Sequence, residues 1–178
     1  MVKKVLIGLA AVVAVLLVLI WRQPDNYTVV RSATIAAPPA EAFALVNDFH
    51  QWDKWSPWAK IDPNMKTTYS GPGSGKDAVY YWIGNNDVGE GRMTILDSTP
   101  NDRITIKLEF LKPFESNSIT TFLFKPEGAG TNVSWEMAGD SNFMTKAMTL
   151  FASMDKMVGA DFEKGLAQMK ASAESARK

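Results

Sequence analysis

The sequence holds one histidine, His50, and no cysteine. That excludes a two-histidine metal site, a thiolate nucleophile, disulfides and cysteine-based zinc clusters. A Ser-His-acid arrangement would depend on His50 alone. It stands beside Phe49 in an aromatic stretch, where capping or facing solvent are equally open roles, and no catalytic residue is assigned. Glu90, Arg92, Asp97 and Glu109 could furnish a general acid or base. Glu109 falls on the polar face of an alternating segment and Asp97 closes another, positions where solvated charge is the ordinary state. The run Gly71-Pro-Gly-Ser-Gly-Lys76 has the composition of a phosphate loop but not its mechanics. Its spacing to the Gly-Lys pair is one residue short, Asp77 stands where Ser or Thr would hold magnesium, and a strand pattern follows where a helix is required. It reads as a turn, and Val88-Gly-Glu-Gly-Arg92 likewise has no helix behind it. No metal site and no cofactor site are expected.

Aromatic and methionine content is the stronger signal. In FHQWDKWSPW (residues 49–58), three of the six tryptophans fall within seven positions. One tryptophan presents ~150–250 Å², so three of them open to water would approach the largest apolar patch a soluble surface normally tolerates. Trp52, Trp55 and Trp58 must cover a core, a ligand or a membrane. Met144, Met148, Met154, Met157 and Met169 place five of the nine methionines in the last apolar-periodic segment. Methionine fills irregular space and adapts to varied apolar shapes.

The elements that must position these residues follow from periodicity. Residues 27–35 alternate with β-branched enrichment and run into Ala36-Ala-Pro-Pro39. Pro39 suits a first helical turn, Glu41 favours the positive end of the helix dipole, and Ala42, Phe43, Leu45 and Val46 give a short apolar face. Phe49, Trp52 and Trp55 follow at steps of three on a second short helix, which Ser56-Pro57 ends because a residue before proline avoids the α region. Six strands are expected over 66–70, 77–83, 88–97, 103–110, 116–125 and 131–138, divided by Gly- and Pro-rich turns. Such short loops imply antiparallel neighbours. Ile104, Ile106, Leu108, Phe110, Val133, Trp135 and Met137 share one face while charges take the other, so one side of the sheet is buried and one is wet. Residues 142–172 lack proline and carry Phe143, Ala147, Leu150, Phe151, Met154, Val158, Phe162, Leu166 and Met169 at helical spacing. They read as a single long helix, capped by Asp140 or Ser141, whose stripe covers the apolar face of the sheet. The expected class is α+β.

The first 22 residues stand apart. Lys3 and Lys4 precede an uncharged apolar run over residues 5–21, followed by Arg22. Seventeen residues rise ~25 Å as a helix against a hydrocarbon core of ~30 Å, which spans at the short limit, with lysines snorkelling at one end and Trp21 at the other interface. The exit Leu17-Val-Leu-Ile-Trp-Arg-Gln-Pro24 has none of the small residues that signal cleavage wants. An uncleaved signal-anchor (1–22) followed by one domain (23–178) is expected. The lysine end stays in the cytoplasm and the domain lies on the far, periplasmic or extracytoplasmic side. Without Lys3 and Lys4, 17 basic residues face 19 acidic ones, which leaves no electrostatic footprint for nucleic acid.

The string Ala36-Ala-Pro-Pro-Ala-Glu-Ala-Phe43, then Val46-Asn-Asp-Phe-His-Gln-Trp-Asp-Lys-Trp-Ser-Pro-Trp58, then Tyr80-Tyr-Trp-Ile-Gly-Asn85 and the closing Met157-Val-Gly-Ala-Asp-Phe-Glu-Lys-Gly-Leu166 resembles the SRPBCC (START-like) superfamily. The nearest likeness is to its polyketide cyclase/dehydrase and lipid-transport branch, over roughly residues 27–170. The resemblance implies a helix-grip fold, a curved antiparallel sheet wrapped around a long C-terminal helix, with a cavity between them that admits hydrophobic small molecules. Trp58, Tyr80, Trp82, Met93, Ile106, Leu108, Phe122, Phe124, Trp135, Met154, Met157 and Val158 are then the cavity candidates, an ordinary packed core being the alternative. In that arrangement the tryptophans seal the sheet edge to the long helix, or gate a ligand. The implied function is membrane-tethered binding or transport of a lipid or polyketide-like molecule. A cyclase or dehydratase using the same cavity, which would need one internal acid, Glu90 or Asp97, to move the proton, and a scaffold that binds another envelope protein, are the other readings.

Overall fold

The computed structural model describes residues 1–175, so the last three residues of the expected 23–178 unit lie outside the described residues. Strands β1 (Asn26–Ile35), β2 (Lys66–Ser70), β3 (Val79–Ile83), β4 (Glu90–Thr99), β5 (Arg103–Lys112), β6 (Ser116–Glu127) and β7 (Gly130–Asp140) form one curved antiparallel sheet in the order β1-β7-β6-β5-β4-β3-β2. Each expected strand is present, with its ends moved by no more than two residues. The pairing of β1 with β7, Asn26 opposite Asp140 and Ile35 opposite Thr131, brings the first strand of the sheet against the last.

Antiparallel pairing sorts the strand ends into two groups. The start of β1, the end of β7, and the turns at 84–89 and 113–115 lie at what we call the proximal end, where the chain enters from its first helix. The turns at 71–78, 100–102 and 128–129 lie at the distal end with the link from β1 to α2. The concave face carries Met93, Ile95, Ile104, Ile106, Phe122, Phe124, Val133 and Trp135, all buried. The convex face carries ion pairs, with Glu109 held by Lys107 and Arg92 at 2.8 Å each, and Glu90 held by Lys112 at 2.6 Å.

Helix α1 (Val2–Trp21) is 20 residues long with no buried residue, and it is long and apolar enough to cross a membrane. Helix α2 (Pro39–Asn47) has proline in its first turn and Glu41 beside it. The expected second short helix follows as a 3-10 helix, Phe49–Lys54. The reason lies in the three-residue repeat itself. In a 3-10 helix side chains at i and i+3 eclipse, and the rings accordingly meet in series, Phe49 edge-on to Trp52 at 5.3 Å and Trp52 tilted against Trp55 at 4.7 Å between centroids.

The expected single terminal helix is two, α3 (Phe143–Thr149) and α4 (Met154–Ser175). Ser153 breaks the run by accepting the Lys156 N–H as a helix start does. The side chain of Asn142 caps α3 on Thr145, where Asp140 or Ser141 was expected to do so. Phe143, Met148 and Phe151 consequently leave the sheet and stand exposed. The 22 residues of α4 extend ~33 Å and bury Gly159, Phe162, Gly165, Leu166, Met169 and Ala173 at spacings of three and four. Arg31 of β1 clamps this helix through Asp155 at 2.7 Å and Glu163 at 2.8 Å. At Gly165 the helix lies flush on the sheet, since a Cβ there would come within 2.8 Å of Trp135 Cζ3.

Candidate functional site

The two halves of the grip are filled differently. In the distal half α2 closes the core, with Phe43 edge-on to Phe124 at 5.5 Å. Midway, Trp135 lies parallel to Phe162 at 4.0 Å and to Phe122 at 5.0 Å, and Trp55 meets both Phe122 and Trp135 edge-on. Trp52 and Trp55 are fixed through their N–H groups. Trp52 Nε1 donates to the Val46 carbonyl at 3.1 Å and Trp55 Nε1 to the Leu45 carbonyl at 2.8 Å. Gly75 N–H donates to the Asn47 carbonyl at 2.9 Å. The last turn of a helix leaves carbonyls without helical partners, and here the aromatic stretch supplies two of the missing donors to α2. That is the first answer to what the tryptophans are for: Trp52 and Trp55 are core, joined to the end of α2.

Above this aromatic floor, towards the proximal end, α4 and the sheet leave a cavity of about 230 Å³. A single buried water needs only ~10–15 Å³ by a like measure, so this is space for a molecule. Trp52, Tyr80, Trp135 and Phe162 form the base. Trp82, Val88, Met93 and Leu108 form one wall, Tyr27 and Met137 the opposite one, and Met154, Val158 and Trp58 close the helix side. Lining residues that also reach solvent, among them Asp87, Phe110, Ser116 and Met154, mark the mouth.

The lining is almost free of charge. Burial pushes the Tyr27 phenol above its usual range, opposed by a hydrogen bond with Ser118 and assisted by Asp140. Burial pushes Tyr80 much further up, with Tyr69 and Asp53 adding to it. Both are neutral phenols at physiological pH. The two carboxylates that touch the cavity, Asp53 and Asp87, are exposed. One strip is polar without being charged. Ser116, Ser118 and Thr120 alternate along β6 and face inward, Ser118 and Thr120 only 7% and 5% exposed, while Ile119 between them faces out at 40%. Trp135 Nε1 is buried with no hydrogen-bond partner. Trp55 and Trp58 stand at steep angles to this ring, with centroids at 5.5 and 5.9 Å.

Of the twelve cavity candidates, Trp58, Tyr80, Trp82, Met93, Leu108, Trp135, Met154 and Val158 stand on the wall. Ile106, Phe122 and Phe124 share the concave face but lie wholly buried in packed core off the wall, and Met157 sits half-buried on α4 away from it. Glu90 and Asp97 do not reach the cavity. Glu90 lies on the convex face, where Lys112 and then the Tyr81 hydroxyl hold its carboxyl below the usual range. Asp97 pairs with Arg103 at 3.2 Å. His50 hydrogen-bonds Asp48 at 2.7 Å and stacks on Tyr69 at 4.1 Å, also away from the lining. Sequence reasoning missed the β6 hydroxyls because it sought apolar residues. The available signal was parity, since Ser118 and Thr120 share a face with Phe122 and Phe124.

No curated protein matches the chain. Among solved structures, SA2116 from Staphylococcus aureus, described as of unknown function, superposes with a TM-score of 0.64 at 9% identity, over 86% of this chain and 96% of that one. CV1439 from Chromobacterium violaceum gives 0.59 at 16%, over 85% and 99%. The di-domain ARO/CYC BexL from the BE-7585A biosynthetic pathway gives 0.59 at 16%, over 88% of this chain and 52% of that one. At these identities the likeness is one of fold, and the fold is the helix grip. The family model described as polyketide cyclase / dehydrase and lipid transport matches residues 27–174, which take in all of the sheet but Asn26 and all of α4 but Ser175. With most of its length matched, the chain belongs to the polyketide cyclase/dehydrase and lipid transport family.

Proposed function

We propose that the protein binds an apolar small molecule bearing oxygen functions, lipid or polyketide-like, in the proximal cavity, and that α1 tethers this binding domain (23–178) to a membrane. The observation that carries the reading is a neutral, aromatic-lined cavity with one strip of hydroxyls. Hydrocarbon gains from the apolar walls, and Ser116, Ser118 and Thr120 offer donors and acceptors to oxygens along one side of the ligand. Tethering concentrates the domain at a lipid surface. The two lysines before α1 favour a cytoplasmic N-terminus with the domain on the far side.

A cyclase or dehydratase reading uses the same cavity and draws support from the family. In this chain it would work by holding a flexible chain against Tyr27 and Ser118, through orientation rather than through a buried carboxylate. An envelope scaffold has less to recommend it, because its core has no need of the space.

The test is mass spectrometry of small molecules extracted from the full-length protein purified in mild detergent, beside Leu108→Trp. Leu108 stands on the wall opposite Ser118 in the β5–β6 register, so the larger ring occupies the cavity. An apolar species carried by the native chain and lost from the variant is expected. If the native chain carries none and takes up no fluorescent fatty acid, or if the variant carries as much, the binding reading falls.

A further inference from the structure

Outside the first 22 residues, the large hydrophobic residues more than half exposed, Phe114, Phe143 and Phe151, all lie at one end of the domain, while Val30, Ile61, Ile83, Leu96 and Ile119 are scattered singly and less exposed. Leu111 and Phe114 of the β5–β6 hairpin are 38% and 51% exposed, and Phe143, Met148 and Phe151 of α3 and its exit are 61%, 43% and 89% exposed. All belong to the proximal end. The three distal turns carry no exposed large hydrophobic residue among the described residues. The hairpin and α3 form one continuous surface, because Asn142 Nδ2 donates to the Glu115 carbonyl at 2.8 Å.

The same end is held beside the end of α1. Only Arg22, Gln23, Pro24 and Asp25 separate α1 from β1, a reach of at most ~14 Å. That link is pinned to the start of α3, since Ser141 N–H donates to the Asp25 carbonyl at 2.8 Å and Lys146 pairs with the Asp25 carboxylate. Helix α3 also packs against α1. A bilayer that takes in α1 would therefore lie next to these exposed rings. The mouth of the cavity, at Asp87, Phe110, Ser116 and Met154, opens at this same end.

We infer that the proximal end sits in the interface of the bilayer that α1 enters, with Phe114, Phe143, Met148 and Phe151 dipping among the acyl chains, so that the ligand passes between lipid and cavity without crossing water. Amphipathic surface segments bury their apolar side in this way at the headgroup boundary, and a contiguous apolar patch of this kind marks an interaction surface. The inference rests on the binding reading for its ligand, and on the anchor for its membrane.

The absence of native cysteine makes the test clean. Phe151→Cys, Phe114→Cys and the distal-turn Ser74→Cys are each labelled with an environment-sensitive fluorophore on the full chain, reconstituted into phosphatidylethanolamine and phosphatidylglycerol vesicles. Labels at 151 and 114 should emit to the blue, be quenched by brominated acyl chains and be shielded from iodide, while the label at 74 behaves oppositely. Equal iodide access at all three sites overturns the placement. In a second arm, Met148→Glu combined with Phe151→Glu should slow uptake of a fluorescent fatty acid from vesicles several-fold, leaving its affinity from detergent solution unchanged. Unchanged uptake overturns the route. A native chain that binds the fatty acid from neither source overturns the binding reading, while the labels still decide the placement.

Discussion

Trp55→Phe tests the claim that the aromatic stretch completes α2. Trp55 is wholly buried, and its Nε1 donates to the Leu45 carbonyl at 2.8 Å. Phenylalanine keeps a ring against Phe122 and Trp135 but strands that carbonyl, at a cost of ~1–3 kcal/mol, and leaves part of the indole volume empty, which adds ~1 kcal/mol. The sum, ~2–4 kcal/mol, corresponds to a fall in Tm of ~5–15 °C for a domain of this size. Trp58→Phe is the paired control. Trp58 lies half-buried on the cavity wall and donates no hydrogen bond among the described residues, so its replacement should move Tm by no more than a few degrees, ~1 kcal/mol. Thermal melts followed by near-UV circular dichroism, on the full chain in one mild detergent, make the comparison. Equal losses in the two variants, or no loss in Trp55→Phe, would show that the N–H does not hold the end of α2.

Two further outcomes follow from the packing and the charges. Gly165→Ala sets a methyl group 2.8 Å from a Trp135 ring already clamped by Phe162 and Phe122; a loss of ~1–3 kcal/mol is expected from such overpacking, and an unchanged denaturation midpoint would mean that α4 shifts freely on the sheet. The carboxyl of Glu109 is held below its usual range by Lys107 and then Arg92, that of Glu90 by Lys112 and Tyr81, and that of Asp155 by Arg31. Because the folded values lie below the unfolded ones, these groups stabilise the fold above pH ~4 and lose that contribution as the pH falls further. Tm should therefore drop on acidification from pH ~5 towards pH ~3, with a shallower drop in Glu109→Gln; a pH-independent Tm across that range would refute the assignment.

The sheet is readable because β alternation and Gly/Pro turns are local signals, and the strongest segments, around Ile104 and Val133, bury the expected face. The interruption between Thr149 and Met154 is not. Apolar residues at helical spacing run through it unbroken, and only the Ser153 hydroxyl marks a new start. The stripe counted Phe143 and Phe151 as sheet-facing, yet the side they face depends on α1 and the hairpin at Glu115, which are remote in sequence. Trp52 and Trp55 were recognised as needing cover, but their role as donors to Leu45 and Val46 depends on the chain folding back on α2. Eight of the cavity candidates stand on the wall, because parity and the family likeness together chose the concave face. How far along each strand the filling stops is set by α2 at the distal end, which is why Phe122 and Phe124 lie beneath the floor.

The partition at the aromatic floor has a consequence for how this chain changes over generations. Rigidity comes mainly from residues below the floor, whereas the shape offered to a guest is drawn by side chains above it, several of them only half enclosed. If the cavity binds as proposed above, substitutions in the upper chamber alter what is accommodated at less cost to folding than those in the lower one, so similar scaffolds could diverge in cargo while their lower chambers stay alike.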